Sequence, residues 1–458
     1  MKTRTPNLIS KLCVLMLFGG TSFFGHNAAA ELDLPYSTRT RLYNGTSTTV
    51  HGDIRTVGMA GATVGLADTF IAASDNPAGL AMTLNNGDFN YTSNWVHDNR
   101  PQTFESSVQT SNFGAALNPY PWGISLGYLN PYRESESYRL AGDPNLRAID
   151  LNTGVREFRA SVARVFLKNR LSLGVSLALG QSETEYGIRG TELYTAQHSY
   201  ALGATFGGIV QLEKRILLGL SYSLPMRYAG DPEKTLPGIT NYFQPVLVPP
   251  KLAAGVGWIP NRFFRAGFSL FFTGSTPDAA LMRDQTIAVG NHWTVQPRLG
   301  AAYQFAEFKE FSGTVFLGTY YEVTRISGAS SRVHATGGIE TKPWIFTIGW
   351  GIDASAGYKN YLVTAGLDLF KVMQKIDLIP KPWSPSPAGT FPQIDGISDV
   401  GLSRPLVKNW KPHGPEIDPI RIGLGLPKKI QQKVIKAGKE IKKEIQTITD
   451  EFIKTEEE

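Results

Sequence analysis

The sequence predicts an all-β fold: a transmembrane antiparallel β-barrel of about fourteen strands, preceded by an N-terminal segment and followed by a C-terminal tail. Three observations predict it. Between residues 88 and 370, large apolar side chains alternate with small ones at a period of two, the period of a β-strand. Only 18% of the residues are charged, whereas 11% are aromatic and 47 are glycine, a composition that suits strands with aromatic belts and tight turns. Short and long connections also alternate along the chain.

The chain begins with the pattern of a secretory signal peptide. Lys2, Arg4 and Lys11 come before or within a short apolar run, and small residues follow up to Ala30. We therefore expect residues 1–30 to be removed. The only cysteine, Cys13, would leave with them, so no disulfide framework is possible. The segment carries three basic and no acidic residues, so its loss lowers the net charge from +6 to +3, which argues against a nucleic-acid partner.

The second face of the predicted strands has an unusual composition. In residues 170–180, RLSLGVSLALG, leucine and valine occupy one face, while serine, glycine and alanine occupy the other. A soluble sheet would carry charged residues on its exposed face. Small, weakly polar residues fit a strand with lipid on one side and a lumen on the other.

The breaks in the alternation separate about fourteen strands and orient them. The predicted strands are 88–97, 111–118, 123–131, 155–167, 171–181, 195–212, 216–227, 250–259, 264–274, 291–305, 312–325, 331–341, 344–354 and 360–370. Six short breaks each join an even strand to the next odd one. Since short turns of such barrels face the periplasm, both chain ends are predicted to be periplasmic.

Residues 31–87 precede the first strand and contain the block GMAGATVGLADTFIAASDNPAGLAM, residues 58–82. This block resembles the N-terminal hatch of FadL-type outer-membrane transporters of hydrophobic compounds. A second stretch, VPPKLAAGVGWIPNRFFRAGFSLFFTG, is similar to a strand, turn and strand of the same family. The resemblance covers roughly residues 40–371. A related branch, the PorV-like barrels, shares the N-terminal block and serves protein secretion.

The resemblance implies that the block plugs the lumen, which is too wide in a fourteen-strand barrel for wall side chains to fill. Gly58, Gly61 and Gly65 would allow close approach to the wall. Asp75 and Asn76 would turn the chain before Pro77 fixes its direction. The alternative is an amphipathic helix at the barrel mouth.

No catalytic, metal or cofactor site is predicted, and the chain is not expected to be an enzyme. The histidines are well separated and form no metal-ligand spacing. The phase of the strands points several charged residues into the lumen, among them Arg159, Arg265 and Arg298. They are expected to pair with one another and with the hatch, or one of them holds a ligand carboxylate. The other predicted lumen charges are Glu157, Lys251, His334, Glu340, Asp353 and Asp368.

The loop 228–250 carries an apolar patch where a polar loop is expected. Tyr242, Phe243, Val246 and Leu247 form it with Val248. Exposed apolar patches are candidate capture sites for a hydrophobic ligand. Alternatively, these residues pack on the rim or begin the next strand early.

The barrel is predicted to span residues 88–371 and to be followed by a periplasmic tail. Residues 372–427 are rich in proline and glycine and suit a linker. In residues 428–458 the apolar residues recur every three or four positions and predict an amphipathic helix. This helix would contact a periplasmic protein, a second copy or the barrel mouth, unless it stays a solvated tail.

The function that these features predict is passive uptake of hydrophobic small molecules, such as long-chain fatty acids or hydrocarbons, across an outer membrane. The alternative is a PorV-like barrel that acts in protein secretion or envelope assembly. A continuous apolar cavity from the loop 228–250 to the hatch would favour uptake. A lumen packed solid would favour the alternative.

Overall fold

The computed structural model describes residues 49–375, with gaps at 83–86, 101–103, 119–120, 140–147, 168–169, 189–193, 214, 231–245, 262, 276–292, 309–310 and 324–330. The predicted signal peptide, linker and C-terminal helix lie outside the described residues. Within the described part of the chain, no helix is long and apolar enough to cross a membrane.

Sixteen strands are described, and fourteen of them close into an antiparallel barrel in which β1 pairs with β16. The predicted fold class is confirmed. The remaining two strands, β8 and β9, form a small separate sheet. The strands are β1 Gly87–Arg100, β2 Phe104–Leu117, β3 Trp122–Arg139, β4 Ala148–Phe166, β5 Leu171–Ile188, β6 Tyr194–Glu213, β7 Ile216–Ser223, β8 Met226–Tyr228, β9 Val246–Val248, β10 Lys251–Asn261, β11 Phe264–Thr273, β12 Thr294–Phe308, β13 Phe311–Glu322, β14 Arg332–Pro343, β15 Phe346–Ser355 and β16 Tyr358–Asp368.

The apolar face of the strands points outward. In β5, Leu173 and Leu177 are exposed, whereas Ser172 and Ser176 are buried. Exposed aromatic residues mark both ends of the wall, as in barrels that lie in lipid. Trp122, Trp258 and Trp344 lie at the end with the short turns, and Tyr222, Trp293 and Tyr321 lie at the opposite end.

Five neighbouring strands, β1 to β5, are longer than the sequence indicates. Segments 132–154 and 181–194 were expected to be loops. However, β3 and β4 stay paired as far as Arg139 and Ala148, and β5 continues to Ile188. The region 98–110 is also mostly strand, because β1 and β2 pair as far as Arg100 and Phe104. The prediction failed because it took the loss of apolar residues as the end of a strand, while backbone pairing continues into water.

The strand predicted at 216–227 breaks after Ser223. Leu224 donates its backbone N–H to the carbonyl of Ala204 at 2.8 Å, and Pro225 has no N–H to offer to a ladder. The chain then turns inward as β8, which pairs with β9. Met226 packs against Gly203, and Tyr228 packs against Gly180 inside the barrel.

The last strand ends at Asp368, two residues before the predicted end. The Asp368 carboxylate accepts a hydrogen bond from the backbone N–H of Lys371 at 3.0 Å, as in an N-terminal cap. A short helix, Leu369–Lys375, follows, and its buried Phe370 packs beside Gly87. The apolar residues that follow β16 therefore form a helix, and Asp368 caps its N-terminus.

Residues 49–82, here called the inner segment, lie inside the barrel. They form α1 (Ile54–Gly58), α2 (Ala72–Asp75) and a 3-10 helix (Pro77–Met82). The Asp53 carboxylate caps α1 by accepting from the N–H of Thr56 at 2.9 Å. The glycines of the wall that contact the inner segment include Gly114, Gly123, Gly127, Gly174, Gly207, Gly219, Gly255, Gly257, Gly267, Gly300, Gly318, Gly338, Gly349 and Gly351. The inner segment therefore packs against the inward face of the wall at positions where glycine provides no side chain.

Candidate functional site

The inner segment touches the wall most closely at glycines of its own. A Cβ on Gly65 would lie 2.7 Å from the backbone nitrogen of Gly257, so two backbones meet there without side chains. Gly61 has a φ of +66° and faces the guanidinium of Arg298, while Gly58 abuts Phe316. All three glycines expected to permit close approach therefore lie against the wall.

Asn76 and Pro77 hold the far end of the inner segment. Asn76 is fully buried, and its amide donates to the carbonyl of Val64 at 2.7 Å and to that of Gly208, in β6, at 3.3 Å. Its side-chain oxygen accepts from the N–H of Ala78 at 3.2 Å. This one amide ties the segment to itself and to the barrel. Pro77 starts the 3-10 helix and lies beside Gly207.

Arg55 is the main ionic contact between the inner segment and the wall. Its guanidinium donates to both carboxylate oxygens of Glu340, in β14, at 3.0–3.1 Å. Asp68 and Asp88 lie 3.8 and 3.6 Å from its terminal nitrogens. All four side chains are nearly buried. Arg55 could not be recognised as a contact residue from the sequence, since a single arginine beside apolar residues forms no motif.

Two further cations complete this group of charges. Arg265, in β11, donates to Asp68 at 2.6 Å, and Lys342 lies 3.5 Å from Asp88. Burial acts to raise the pKa of Asp68, but the positive charges of Arg265 and Arg55 outweigh it and hold that pKa below its usual range. Three cations thus balance three carboxylates between the inner segment and the wall. Arg265 therefore contacts the inner segment.

A second polar cluster holds the start of the inner segment. The backbone N–H of Val50 donates to the hydroxyl of Tyr320 at 3.3 Å, and that hydroxyl donates to Asp353 at 2.7 Å. His334 lies between Asp353, at 2.7 Å, and Glu322, at 3.0 Å. Arg332 extends the cluster by bonding Glu322 and Asp98. Among the described residues, no group of histidine, cysteine and carboxylate side chains could hold a metal ion.

Between the inner segment and the β8–β9 sheet lies a cavity of about 130 Å³. The charged residues in its lining are Asp75, Glu157, Arg159, Lys251 and Arg298, and its apolar residues include Leu129, Pro131, Leu224, Met226, Val248 and Phe271. The cavity is therefore a small polar chamber with an apolar side.

The charged residues of the cavity differ in how they are held. Arg159 pairs with Glu157 at 2.6 Å. Arg298 donates to the side-chain oxygen of Gln296 at 2.7 and 3.2 Å and lies 3.8 Å above the ring of Phe271. Lys251 has no hydrogen bond or ion pair with any residue that the structure describes. Arg159 and Arg298, both expected in the lumen, therefore line the same cavity.

Asp75 and His51 reach this cavity from the inner segment. Burial raises the pKa of Asp75, against the opposing charges of Arg298, Lys251 and Arg159. Burial lowers the pKa of His51 to about 4, helped by the charges of Lys251 and Arg298. His51 is therefore neutral at physiological pH, and Asp75 is the only titratable acid that the inner segment places in the cavity.

The backbone ladder between β2 and β3 is interrupted beside the cavity, and this interruption is here called the gap. Their backbone ladder covers five pairs, from Leu117↔Ile124 to Phe113↔Tyr128, although the strands are 14 and 18 residues long. Beyond it, Asn130 donates its backbone N–H to the side chain of Asn112 at 2.8 Å. Pro131 follows, and β3 shifts register against β4 at this point. Leu129 and Pro131 line the cavity, so the gap and the cavity adjoin.

The four residues proposed for ligand capture are only partly described. Tyr242 and Phe243 lie outside the described residues. Val246 and Leu247 belong to β9, which pairs with β8.

One pentapeptide in β3 has the spacing of a nucleophile elbow. Gly123, Ser125 and Gly127 in the sequence GISLG match Gly-x-Ser-x-Gly. However, the pentapeptide lies inside a continuous strand and not at a strand-to-helix turn, and its glycines pack on Leu80 and Phe70. The spacing results from strand alternation and carries no catalytic meaning.

The fold and the site define a class: a membrane-spanning barrel whose lumen is filled by its own N-terminal segment. No family model and no curated protein matches the sequence. Solved structures, however, match its fold. A Pseudomonas aeruginosa FadL homologue aligns with a TM-score of 0.50 and 12% identity, over 70% of this chain and 100% of that one. The Ralstonia pickettii toluene transporter TbuX aligns with a TM-score of 0.50 and 12% identity, over 70% of this chain and 98% of that one. The predicted FadL-type fold is confirmed, and at this identity the likeness concerns the fold.

Proposed function

We propose that this protein is an outer-membrane channel for passive uptake of hydrophobic small molecules, and that the inner segment is the hatch that closes it. The observation that carries the proposal is the gap between β2 and β3, which adjoins the lumen cavity at Leu129 and Pro131. A hydrophobic molecule that enters the lumen can leave through this gap into the membrane without crossing the inner segment. The FadL homologue and TbuX have the same fold.

The gap is suited to opening because side chains, not a continuous ladder, join the strands there. The hydrogen bonds of Asn130 with Asn112 and Ser111, and of Arg133 with Gln109, can break without unpairing β-sheet. Pro131 also removes one backbone donor from that edge. Below the gap, the inner segment blocks the axial path with a nearly solvent-free interface. Hydrophobic and hydrophilic solutes would therefore meet different barriers.

The test uses Gram-negative cells that lack their own channel for hydrophobic compounds. Cells that produce the full-length protein should take up radiolabelled dodecanoate and toluene faster than cells with the empty vector, with no gain for a hydrophilic sugar. Deleting residues 49–82 should add permeability to the sugar, because the axial path is then open. If the full-length protein accelerates none of the hydrophobic tracers while folding correctly in the membrane, the uptake proposal is wrong.

A second candidate function, a barrel that acts in secretion or envelope assembly, has one observation in its favour. Five charged side chains, Asp75, Glu157, Arg159, Lys251 and Arg298, line the cavity beside the inner segment, so the described cavity is polar. A packed lumen suits a barrel that binds proteins on its surface. In-cell crosslinking from single sites on the strands' ends would separate the two, since only this candidate requires a constant protein neighbour.

A further inference from the structure

The outer face of the wall carries an apolar groove of about 500 Å³ that crosses β5, β6, β7, β10 and β11. Small residues form its floor, because Gly208 in β6 and Ala254 in β10 pair with Leu220 from either side. Its volume lies within the roughly 300–1,000 Å³ of small-molecule sites. The groove opens outward and not into the lumen, since several of its lining side chains are exposed on the apolar face of the wall: Val210, Leu220, Val256 and Phe268.

The groove runs obliquely, from the short-turn end of the barrel towards the middle of the wall. At β5 it begins with Leu171, which pairs with Phe166 directly at the turn between β4 and β5. At β10 it includes Val256, whereas that strand reaches its turn only after Asn261. At about 3.3 Å per residue, Val256 lies roughly 15 Å from its turn. This course fits an acyl chain whose head group lies at the membrane surface and whose tail points into the bilayer.

A cation lies on the same outer face, beside the end of the groove that is nearest to the membrane surface. Arg164 is exposed on β4, two positions before Phe166, and pairs directly with Leu173. Leu173 pairs in turn with Gly208 in the floor of the groove. Since neighbouring strands are about 4.8 Å apart, the backbones of Arg164 and Gly208 are separated by roughly 10 Å. One lipid molecule can therefore reach both.

Two aromatic rings fix the guanidinium of Arg164. It lies 4.8 Å from the ring centroid of Trp122 and 5.4 Å from that of Phe166. Among the residues that the structure describes, no carboxylate pairs with Arg164. A cation–π contact engages the face of a guanidinium and leaves its N–H groups as donors, whose planar arrangement matches a phosphate. Arg170, exposed in the adjoining turn, adds positive charge to the same rim.

We propose that this surface binds one anionic glycerophospholipid of the membrane leaflet at the short-turn end, with its phosphate at Arg164 and one acyl chain in the groove. The occupant follows from charge and shape together. Arg164 provides an opposite charge at the level of the head groups, and the groove provides an apolar channel that leads away from it into the bilayer. A second copy of the barrel would bring a convex wall against this concave surface. The site lies outside the lumen, so it is independent of the proposed uptake function.

The experiment titrates the delipidated full-length protein in detergent and counts bound lipid by native mass spectrometry. The probes are dioleoyl phosphatidylglycerol, dioleoylglycerol, which has the same chains and no phosphate, and inorganic phosphate. Phosphatidylglycerol should bind about five- to tenfold more tightly than dioleoylglycerol, the factor expected for one arginine near the membrane surface. Inorganic phosphate should not compete, because it lacks the chains.

Arg164→Met tests the phosphate contact, since it removes the charge and keeps a long side chain. It should lower the affinity for phosphatidylglycerol by about five- to tenfold and leave the binding of dioleoylglycerol unchanged. Lys359→Met, on the exposed face of β16, is the matched control and should change neither.

Gly208→Leu tests the groove by filling its floor. A Cβ at Gly208 would have its nearest neighbour, the side chain of Leu173, at 3.4 Å, so the wall can accept the larger residue. The variant should weaken the binding of both lipids to a similar extent. Gly337→Leu, in β14 and outside the groove, has its nearest neighbour at 3.6 Å and should change neither. Each variant is first checked for barrel folding by its heat-dependent mobility on a gel.

The outcomes that would overturn the proposal differ from one part to the next. If the two lipids bind equally and Arg164→Met alters neither, the phosphate contact is refuted. If Gly208→Leu binds both lipids as tightly as Gly337→Leu does, the groove is not the acyl site. Competition by inorganic phosphate would replace the lipid by a small free anion. A dimer that Gly208→Leu abolishes would make the groove a contact between two copies of the chain.

Discussion

Replacing Arg55 by methionine should release the inner segment from the wall. Glu340 is 6% exposed, and its described partner is Arg55, so the substitution leaves a buried carboxylate without a counter-charge. Breaking one side of a buried ion pair costs about 3–5 kcal/mol. Asp68 and Asp88 lose less, because Arg265 and Lys342 still face them. At about 1.4 kcal/mol per factor of ten, the undocked population should rise roughly 100- to 4000-fold.

Amide hydrogen exchange in α1 measures this population directly, because the exchange of protected amides follows local opening. The N–H groups of Val57 and Gly61, which bond within the segment, should exchange faster by the same factor. The double variant Arg55→Met, Glu340→Met removes both charges and should restore most of the protection, since an apolar pair of similar volume is well tolerated in such positions. If the single variant exchanges as slowly as the unmodified protein, or the double variant exchanges as fast as the single one, the buried charge is not what holds the segment.

Four further predictions follow from the described contacts. Gly65→Ala should cost about 1–3 kcal/mol of docking, because its Cβ would lie 2.7 Å from the backbone of Gly257, whereas Gly154→Ala, with its nearest neighbour at 3.5 Å, should be near neutral; exchange protection of α1 compares the two. Docking of the inner segment should weaken as the pH falls from about 7 to about 4. The reason is that His51 binds a proton more readily when the segment is released than in the barrel, where the pKa of His51 is about 4. Channel openings in planar bilayers should therefore become more frequent at low pH, and His51→Gln should reduce this pH dependence. Unboiled and boiled samples should migrate differently on a denaturing gel, since a closed barrel resists detergent, and identical migration would count against closure. Truncation after residue 378 should leave the barrel folded and uptake intact but remove a periplasmic contact. Crosslinking from residue 441 of the full-length protein should detect that contact, and capture of no neighbour at all would contradict it.

The sequence alone was sufficient for the barrel and insufficient for most of the site. Alternation shows which face of a strand is apolar, so the number of strands, their order and their outward leucines could be read directly. It does not show which residues meet across the lumen. Arg55 and Glu340 lie 285 positions apart, and no local pattern connects them. The β2–β3 gap left one signal, an Asn-Pro step at residues 130–131 of a predicted strand, which could have indicated an edge that does not pair.

Some differences arose because chemistry and geometry compete locally. Asp368 is the last residue of β16, within the predicted last strand, but its carboxylate caps a helix, so the strand does not continue to residue 370. The apolar residues near Val246 were read either as an exposed patch, or as packed on the rim, or as an early start of the next strand, and Val246–Val248 form β9, which pairs with β8.

The contacts of the inner segment also constrain the order in which the molecule can fold. The segment is synthesised before every strand of the barrel, but Arg55 binds a wall residue 285 positions later in the chain, and Ile54 contacts Gly351 beyond it. Contacts of such separation form late, because each must first overcome the entropy of closing a long loop. Arg55 cannot meet Glu340 until β14 is in place, and β1 cannot pair with β16 until the last strand arrives. The inner segment must therefore wait, unpaired and rich in apolar surface, for nearly the whole barrel to assemble around it. We expect assembly to be slow and to require protection of residues 49–82 until the barrel closes.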